Sequence, residues 1–238
     1  MPRDPVLTRA HALWEGLAAA PVSFSSPDGV DVAISPRSMV CPQGWAGFIV
    51  LQGRAIVTAP GPAAAIRGAI AALSVEDLVD PEMLGRVLPL AEVLGPATLA
   101  YIDERDFRAA PPGAVSVDRL SVEHPDLRRL EVSAGEQESE ESGLREITSP
   151  AFAVRIHGKV VAAAGYRTWP SRTAHMSVLT APEDRGRGWA RLTGSAAVAH
   201  ALESGLLPQW RARTPQSKRV AFALGFRELG AQLSARPS

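Results

Sequence analysis

Apolar and polar residues follow two rhythms along this chain, and each change of rhythm marks an element. Between residues 5 and 20, Leu7, Ala10, Leu13, Trp14 and Leu17 recur at steps of three and four, which predicts a helix ended by Pro21. Residues 30–34 alternate with period two and read as a strand. Residues 47–51 and 54–59 flank Gln52-Gly53, a hairpin signature. After the break at Pro60-Gly61-Pro62, residues 63–73 read as a second helix and 81–94 as a third, interrupted at Pro89. Residues 97–102 return to a strand pattern.

Residues 108–113 (Arg-Ala-Ala-Pro-Pro-Gly) form the best linker candidate, dividing a domain at 1–110 from a second at 113–238. Beyond it the order is regular. A strand at 115–120 precedes helices at 125–132 and 135–144, the latter strongly acidic. Strands at 151–156 and 159–167 meet at His157-Gly158, and a further strand spans 175–180. A long helix begins at Trp189, with Trp189, Leu192, Ala196, Ala199 and Leu202 expected on its buried face and Gly205 as its stop. A strand at 206–213, a helix at 215–224 and a strand at 226–234 complete the chain. The fold class expected is α+β: a mixed, mostly antiparallel sheet flanked by helices, preceded by an α+β domain.

The chemistry concentrates between residues 176 and 192. A strand ends at Pro182, and Arg185-Gly186-Arg187-Gly188 leads into the helix. The first turn of a helix presents unpaired N–H groups and the positive end of the macrodipole. Glycines let the backbone approach a ligand, and two arginines add permanent charge. Such a junction suits a phosphate or pyrophosphate. The Gly-Lys-Ser/Thr of nucleotide hydrolases does not follow, and the dinucleotide fingerprint lacks its third glycine.

Charge and composition narrow the alternatives. The 25 basic and 25 acidic residues cancel, which argues against a nucleic-acid binder. Cys41 is the single cysteine, so an intramolecular disulfide is excluded and a reducing compartment is suggested. The chain has neither a secretory leader nor an apolar run of the ~18 residues a membrane span needs, so a cytoplasmic location without a membrane partner is expected. The five histidines and one cysteine show no metal-ligand spacing.

The hexapeptide Arg185–Ala190 resembles the pyrophosphate-binding motif of the GNAT N-acetyltransferase superfamily, Arg/Gln-x-x-Gly-x-Gly/Ala, carried here by Arg185, Gly188 and Ala190. The Ala-Pro-Glu-Asp lead-in and the later Leu224-Gly225-Phe226 strengthen the likeness, which covers residues 113–238. The role of residues 1–110 is open; a degenerate GNAT-like copy is one reading of them, although no residue match supports it.

The resemblance implies a GNAT-like sheet and acetyl-CoA as cosubstrate. It assigns the pantetheine arm to the backbone of Val178, Leu179 and Thr180, and the pyrophosphate to Arg185, Gly186, Arg187, Gly188, Trp189 and Ala190. The side chain of Trp189 is expected to anchor the helix in the core. Ser217 is a candidate contact to sulfur or pantetheine. The tyrosine that commonly protonates the leaving thiolate is replaced by Ala221, and the Asn that often precedes that helix by Thr214. Glu141 and His175 are the candidate bases for direct attack by an amine; Trp169 and Trp210 could line an acceptor pocket, but aromatics at strand ends are more often core. The acceptor is a small-molecule or peptide amine, and the protein could form a homodimer. Two other readings remain: a non-catalytic acyl-CoA-binding or regulatory module, and a nucleotide-binding protein using the same loop.

Overall fold

The computed structural model describes residues 4–111 and 115–238. The chain forms two compact units. One holds the residues up to Ala100 with Arg211–Thr214 and Glu228–Ser238, and the other holds Tyr101–Trp210 with Pro215–Arg227. Residues 112–114, where the linker was expected to end, lie outside the described residues.

In the first unit, α1 spans Pro5–Ala18. Asp4 caps it by accepting from the N–H groups of Val6 and Leu7, and Pro5 occupies the first turn where no N–H is needed. Its apolar stripe, including Ala10, Leu13, Trp14 and Leu17, is buried. Strands β1 (Val30–Ile34), β2 (Ala46–Leu51) and β3 (Arg54–Ala59) follow. The β2–β3 hairpin turns through Gln52 and Gly53, with φ of 45° and 73°. Both values lie in the left-handed region that a tight primed turn requires.

Helices α2 (Ala63–Ile70) and α3 (Pro81–Val87) precede β4 (Leu90–Tyr101). The third helix thus stops short of residue 94, and the strand begins seven residues before its expected start at 97. Pro89 is the cause: its ring disfavours the helical region for Leu88, which is extended at φ −125°, ψ 131°. The last strand, β10 (Arg227–Pro237), pairs antiparallel with β2. The strand order in this unit is β1-β3-β2-β10-β4, with β1 and β3 parallel.

The second unit contains β5 (Val117–Leu120), α4 (Pro125–Ala134), α5 (Glu136–Ser142), β6 (Ala151–Ile156), β7 (Lys159–Trp169) and β8 (Thr173–Thr180). It continues with α6 (Trp189–Glu203), β9 (Leu207–Ala212) and α7 (Pro215–Ala223). Strand order is β5-β6-β7-β8-β9, antiparallel throughout except for the parallel β8–β9 pair.

One sheet face packs Ala151, Ala153, Ala163 and Leu179 against Leu127 and Leu130 of α4. The other face carries α6. The buried residues of α6 are Thr193, Gly194, Ser195, Ala197, Val198, Ala201 and Leu202, so the buried stripe lies beside the expected one. Its residues are small because the helix rides close to the sheet. A Cβ on Gly194 would stand 3.4 Å from Trp210 and Leu224. Large side chains could not occupy that seam; of the expected stripe Leu202 is buried, while Trp189, Leu192, Ala196 and Ala199 are half-buried at its edge.

An ion cluster ties α4 to the strands beside it. Arg155 donates to Asp118 at 3.0 Å and to Asp126 at 2.5 Å, and Asp126 also pairs with Arg129. The Arg155 hydrogen bond holds the Asp126 carboxyl below its ordinary value of 3.8. A carboxyl depressed in the fold stabilises it above the unfolded value, and that contribution is lost as pH falls through the folded one. The variant Asp126→Asn is therefore expected to show a shallower fall of melting temperature than the parent as acid is added below about pH 4. Parallel acid curves for the two proteins would refute the assignment.

Candidate active site

The site begins where one strand pair comes apart. Strand β8 pairs with β7 along its whole length, from Thr173 opposite Trp169 to Thr180 opposite Ala162. With β9 it pairs only from Thr173 to His175, opposite Leu207, Pro208 and Gln209. The ladder stops there, while β8 runs on to Thr180. The β8 edge at Met176–Thr180 therefore has backbone groups outside any β8–β9 ladder, the kind of edge that accepts an extended ligand as a further strand.

This edge leads directly into the glycine-arginine loop. A short 3-10 turn at Pro182–Asp184 is followed by Gly186 and Gly188, with φ of 77° and 82°. An added Cβ at either glycine would meet nothing within 4 Å, so glycine is required here by backbone conformation rather than by crowding. Gly188 is the N-cap of α6 and supplies no side-chain cap, and the first helical bond runs from the Leu192 N–H to the Gly188 carbonyl. The first-turn N–H groups are thus presented outward from a helix of 15 residues.

Three side-chain atoms near this junction in the chain are buried without a hydrogen-bond partner among the described residues: Thr180 Oγ1, Trp189 Nε1 and Arg191 Nε. Native proteins leave few such atoms unpaired, so a polar ligand at this junction fits the residues present. Trp189 itself is half-buried and is not the core anchor expected of it. Ala190 is also half-buried.

The two arginines are not bare. Arg185 pairs with Glu138 of α5, and Arg187 pairs with Asp184 at 3.2 Å. The acidic helix thus supplies one of the anions that the sequence argument reserved for a ligand. The Arg185–Glu138 side chains are 46% and 43% exposed, so the pair is screened and weak, and a phosphate could displace it.

His175, Ser177 and Leu179 project from one face of β8, as period-two alternation requires. His175 Nδ1 lies 2.5 Å from Gln209 Oε1, and its ring stacks on Trp169 at 3.9 Å and 7°. With the carboxamide oxygen as acceptor, Nδ1 carries the proton and Nε2 is the basic nitrogen. Gln209 is fully buried, and its Nε2 and the neighbouring Thr173 Oγ1 have no partner among the described residues.

Ser177 donates to the Gly143 carbonyl at 3.2 Å, fixing β8 to the end of α5. Glu141 is an exposed residue of that helix. Val178 is half-buried and Leu179 buried. Ser217 accepts from Trp210 Nε1 at 2.9 Å. Trp210 is only 4% exposed and meets Phe226 edge-on at 5.4 Å, so it is core and not a pocket wall.

Two polar features escaped the sequence reading. One is Gln209, whose signal was a buried-strand amide between Pro208 and Trp210. The other is Tyr166, whose hydroxyl lies 2.9 Å from His200 Nδ1. Among the described residues no helix is long and apolar enough to cross a membrane, and no group of three His, Cys, Asp or Glu side chains is placed to hold a metal.

Comparison with known proteins agrees with this geometry. Residues 150–231 match the model of the GNAT acetyltransferase family, so the C-terminal part of the chain is of the GNAT superfamily. The span includes the splayed strands and the loop. No curated protein matches the chain. A GCN5-related N-acetyltransferase from Kribbella flavida is similar in fold, with 18% identity, a TM-score of 0.51, and coverage of 66% of this chain and 63% of that one. This chain thus spans less than two thirds of that relative. A GCN5-related N-acetyltransferase-like protein from Streptococcus suis aligns over 79% of this chain and 83% of its own, at 18% identity and a TM-score of 0.48. A phosphinothricin acetyltransferase from Sinorhizobium meliloti, solved in complex with AcCoA, aligns over 52% and 89% at 20% identity and a TM-score of 0.40.

Proposed function

We propose that this protein is an acetyl-CoA-dependent N-acetyltransferase that moves the acetyl group to an amine by direct attack. One observation carries the reading: the β8–β9 ladder ends at His175 and Gln209, and the freed edge runs straight into an uncapped helix behind two left-handed glycines. Backbone groups of Val178, Leu179 and Thr180 would hold the pantetheine arm. Gly186, Gly188, Trp189 and Ala190 would present N–H groups to the pyrophosphate, with Arg185 and Arg187 turning from their carboxylates to it. When bound, acetyl-CoA supplies the activated thioester carbonyl.

The protein's own groups handle the proton. An attacking amine must be neutral, so a base has to accept a proton as the new bond forms. His175 Nε2 suits that role because Gln209 holds the opposite nitrogen as a donor and steadies the imidazolium that results. Glu141 on α5 is the alternative base. Ser217, which accepts from Trp210 Nε1, is the candidate contact to the departing sulfur.

A second reading, an acyl-CoA-binding module without turnover, draws on Ala221, which is buried where the family often has its acid tyrosine. Binding and turnover separate the two readings. At millimolar acetyl-CoA the melting temperature is expected to rise by several degrees, as for ligand at ~100 times its Kd. Thiol should be released with at least one member of an amine panel. Binding without release would favour the module, and no thermal shift would overturn both readings. In Gly188→Val, whose side chain disfavours the left-handed cap, the shift should vanish.

A further inference from the structure

Two unpaired polar groups lie away from the glycine-arginine loop, behind the proposed base. Thr173 Oγ1 and Gln209 Nε2 have no hydrogen-bond partner among the described residues, and both residues are 0% exposed. They stand on one face of the sheet. Gln209 is opposite His175 in the parallel β8–β9 register, and Thr173 precedes His175 by two positions on β8, opposite Leu207. With ~4.8 Å between strands and a rise of ~3.3 Å per residue, the Cα atoms of Thr173 and Gln209 are roughly 8 Å apart. The two side chains close part of that distance, and a single water spans about 5.5 Å between two partners.

Burial makes both groups costly to leave unpaired. The other end of the carboxamide is already engaged, with Gln209 Oε1 2.5 Å from His175 Nδ1. A carboxamide can turn either end to an imidazole. Only the oxygen end can face an imidazolium, whose two nitrogens are both donors. A partner for the amide end holds that orientation, because a flip would then break two hydrogen bonds instead of one.

We infer that Thr173 is a positioning residue for the acetyl-transfer site: its hydroxyl and the Gln209 amide share one buried water, and this bridge keeps the Gln209 oxygen on His175 Nδ1. Thr173 acts through Gln209. The kinetic consequence rests on the acetyl-transfer reading, whereas the bridge itself rests on the two unpaired atoms.

The test uses the full-length protein. Thr173→Val keeps the shape of the side chain and removes the hydroxyl. Exchange of a truly unpaired buried hydroxyl for a methyl leaves the melting temperature unchanged or raises it. Loss of a hydroxyl that holds the bridge strands Gln209 Nε2, so Thr173→Val is expected to melt a few degrees lower. Nitrogen NMR of the imidazoles, assigned through His175→Gln and recorded above the imidazole titration, should place the proton on Nδ1 of His175 in the parent and in Thr173→Ser. In Thr173→Val it should show a mixture of tautomers. A crystal structure of the parent should hold a water within about 3 Å of both atoms. In acetyl transfer, kcat of Thr173→Val should fall about tenfold with KM for acetyl-CoA unchanged, and Thr173→Ser should restore it. Added to Gln209→Leu, Thr173→Val should cost kcat nothing further, since both act through one carboxamide. A melting temperature unchanged or raised in Thr173→Val, an unaltered His175 tautomer there, or additive losses of kcat would overturn the inference. Absence of acetyl transfer in the parent, with the expected melting and tautomer changes in Thr173→Val, would overturn the acetyl-transfer reading and leave the bridge standing.

Discussion

Replacing Gly225 by alanine is expected to cost about 3–5 kcal/mol of stability, at the upper end for a single substitution. Gly225 follows α7 with φ +97° and donates to the Phe222 carbonyl at 3.0 Å, while the Phe226 N–H returns to Ala221 at 3.1 Å. These bonds close the C-terminal end of the helix through a residue of the wrong hand for an L side chain. Conformation alone would cost ~1–2 kcal/mol. Space adds the larger share. A Cβ at this position would lie 2.0 Å from the Asp106 carbonyl oxygen and 3.1 Å from its carbon, both backbone atoms that cannot swing aside. Gly158 provides the control, since its φ is +79° but nothing lies within 4 Å of a Cβ there. Urea denaturation of Gly158→Ala should therefore show a loss near 1 kcal/mol, the conformational part alone. Equal losses for the two variants would mean that crowding by Asp106 contributes nothing.

Much of the second unit could be read from its residues because its strands and helices carry strong local punctuation. His157-Gly158 fixes the β6–β7 hairpin, Pro125 opens α4, and the arginine-glycine run marks the entry to α6. The strand-turn-helix junction followed from these signals. What escaped depended on distance in space. The α6 seam was misjudged because close packing selects glycine, alanine and threonine, residues that give no hydrophobic rhythm. The partnership of Arg185 with Glu138 joins residues 47 apart in the chain, and only the fold brings α5 beside the loop. Gln209 read as one polar residue in a strand until the parallel register set it opposite His175. In the first unit, residues 90–94 were expected to continue the third helix, and the backbone restriction imposed by Pro89 decided the outcome in favour of a strand. The end of β8 pairing, on which the proposed site depends, leaves no trace in side-chain pattern at all, because the groups concerned belong to the backbone.

Replacing His175 by glutamine is expected to lower kcat/KM for acetyl transfer by about 10²–10⁴-fold, the range for losing a positioned general base. Glutamine can keep a hydrogen bond to Gln209 but cannot accept the amine proton, so acetyl-CoA affinity should stay within about twofold, a change worth less than 0.5 kcal/mol. The pH profile distinguishes this role from a structural one. A histidine base must be neutral to work, so the parent rate should rise with pH through the imidazole titration and level off above it. In the variant that limb should disappear, leaving only the ionisation of the amine. If His175 served only to stack on Trp169 and bond to Gln209, its replacement would leave that limb in the profile. Gln209→Leu adds an independent check, because it removes the oxygen that keeps the proton on Nδ1. Its effect should be smaller than that of His175→Gln and should appear in kcat more than in KM, since the base remains but its tautomer and orientation are released. If His175→Gln retained both rate and profile while Glu141→Gln lost them, the proton would belong to the carboxylate on α5, and the half-buried imidazole and its amide partner would be a structural feature of the β8–β9 junction.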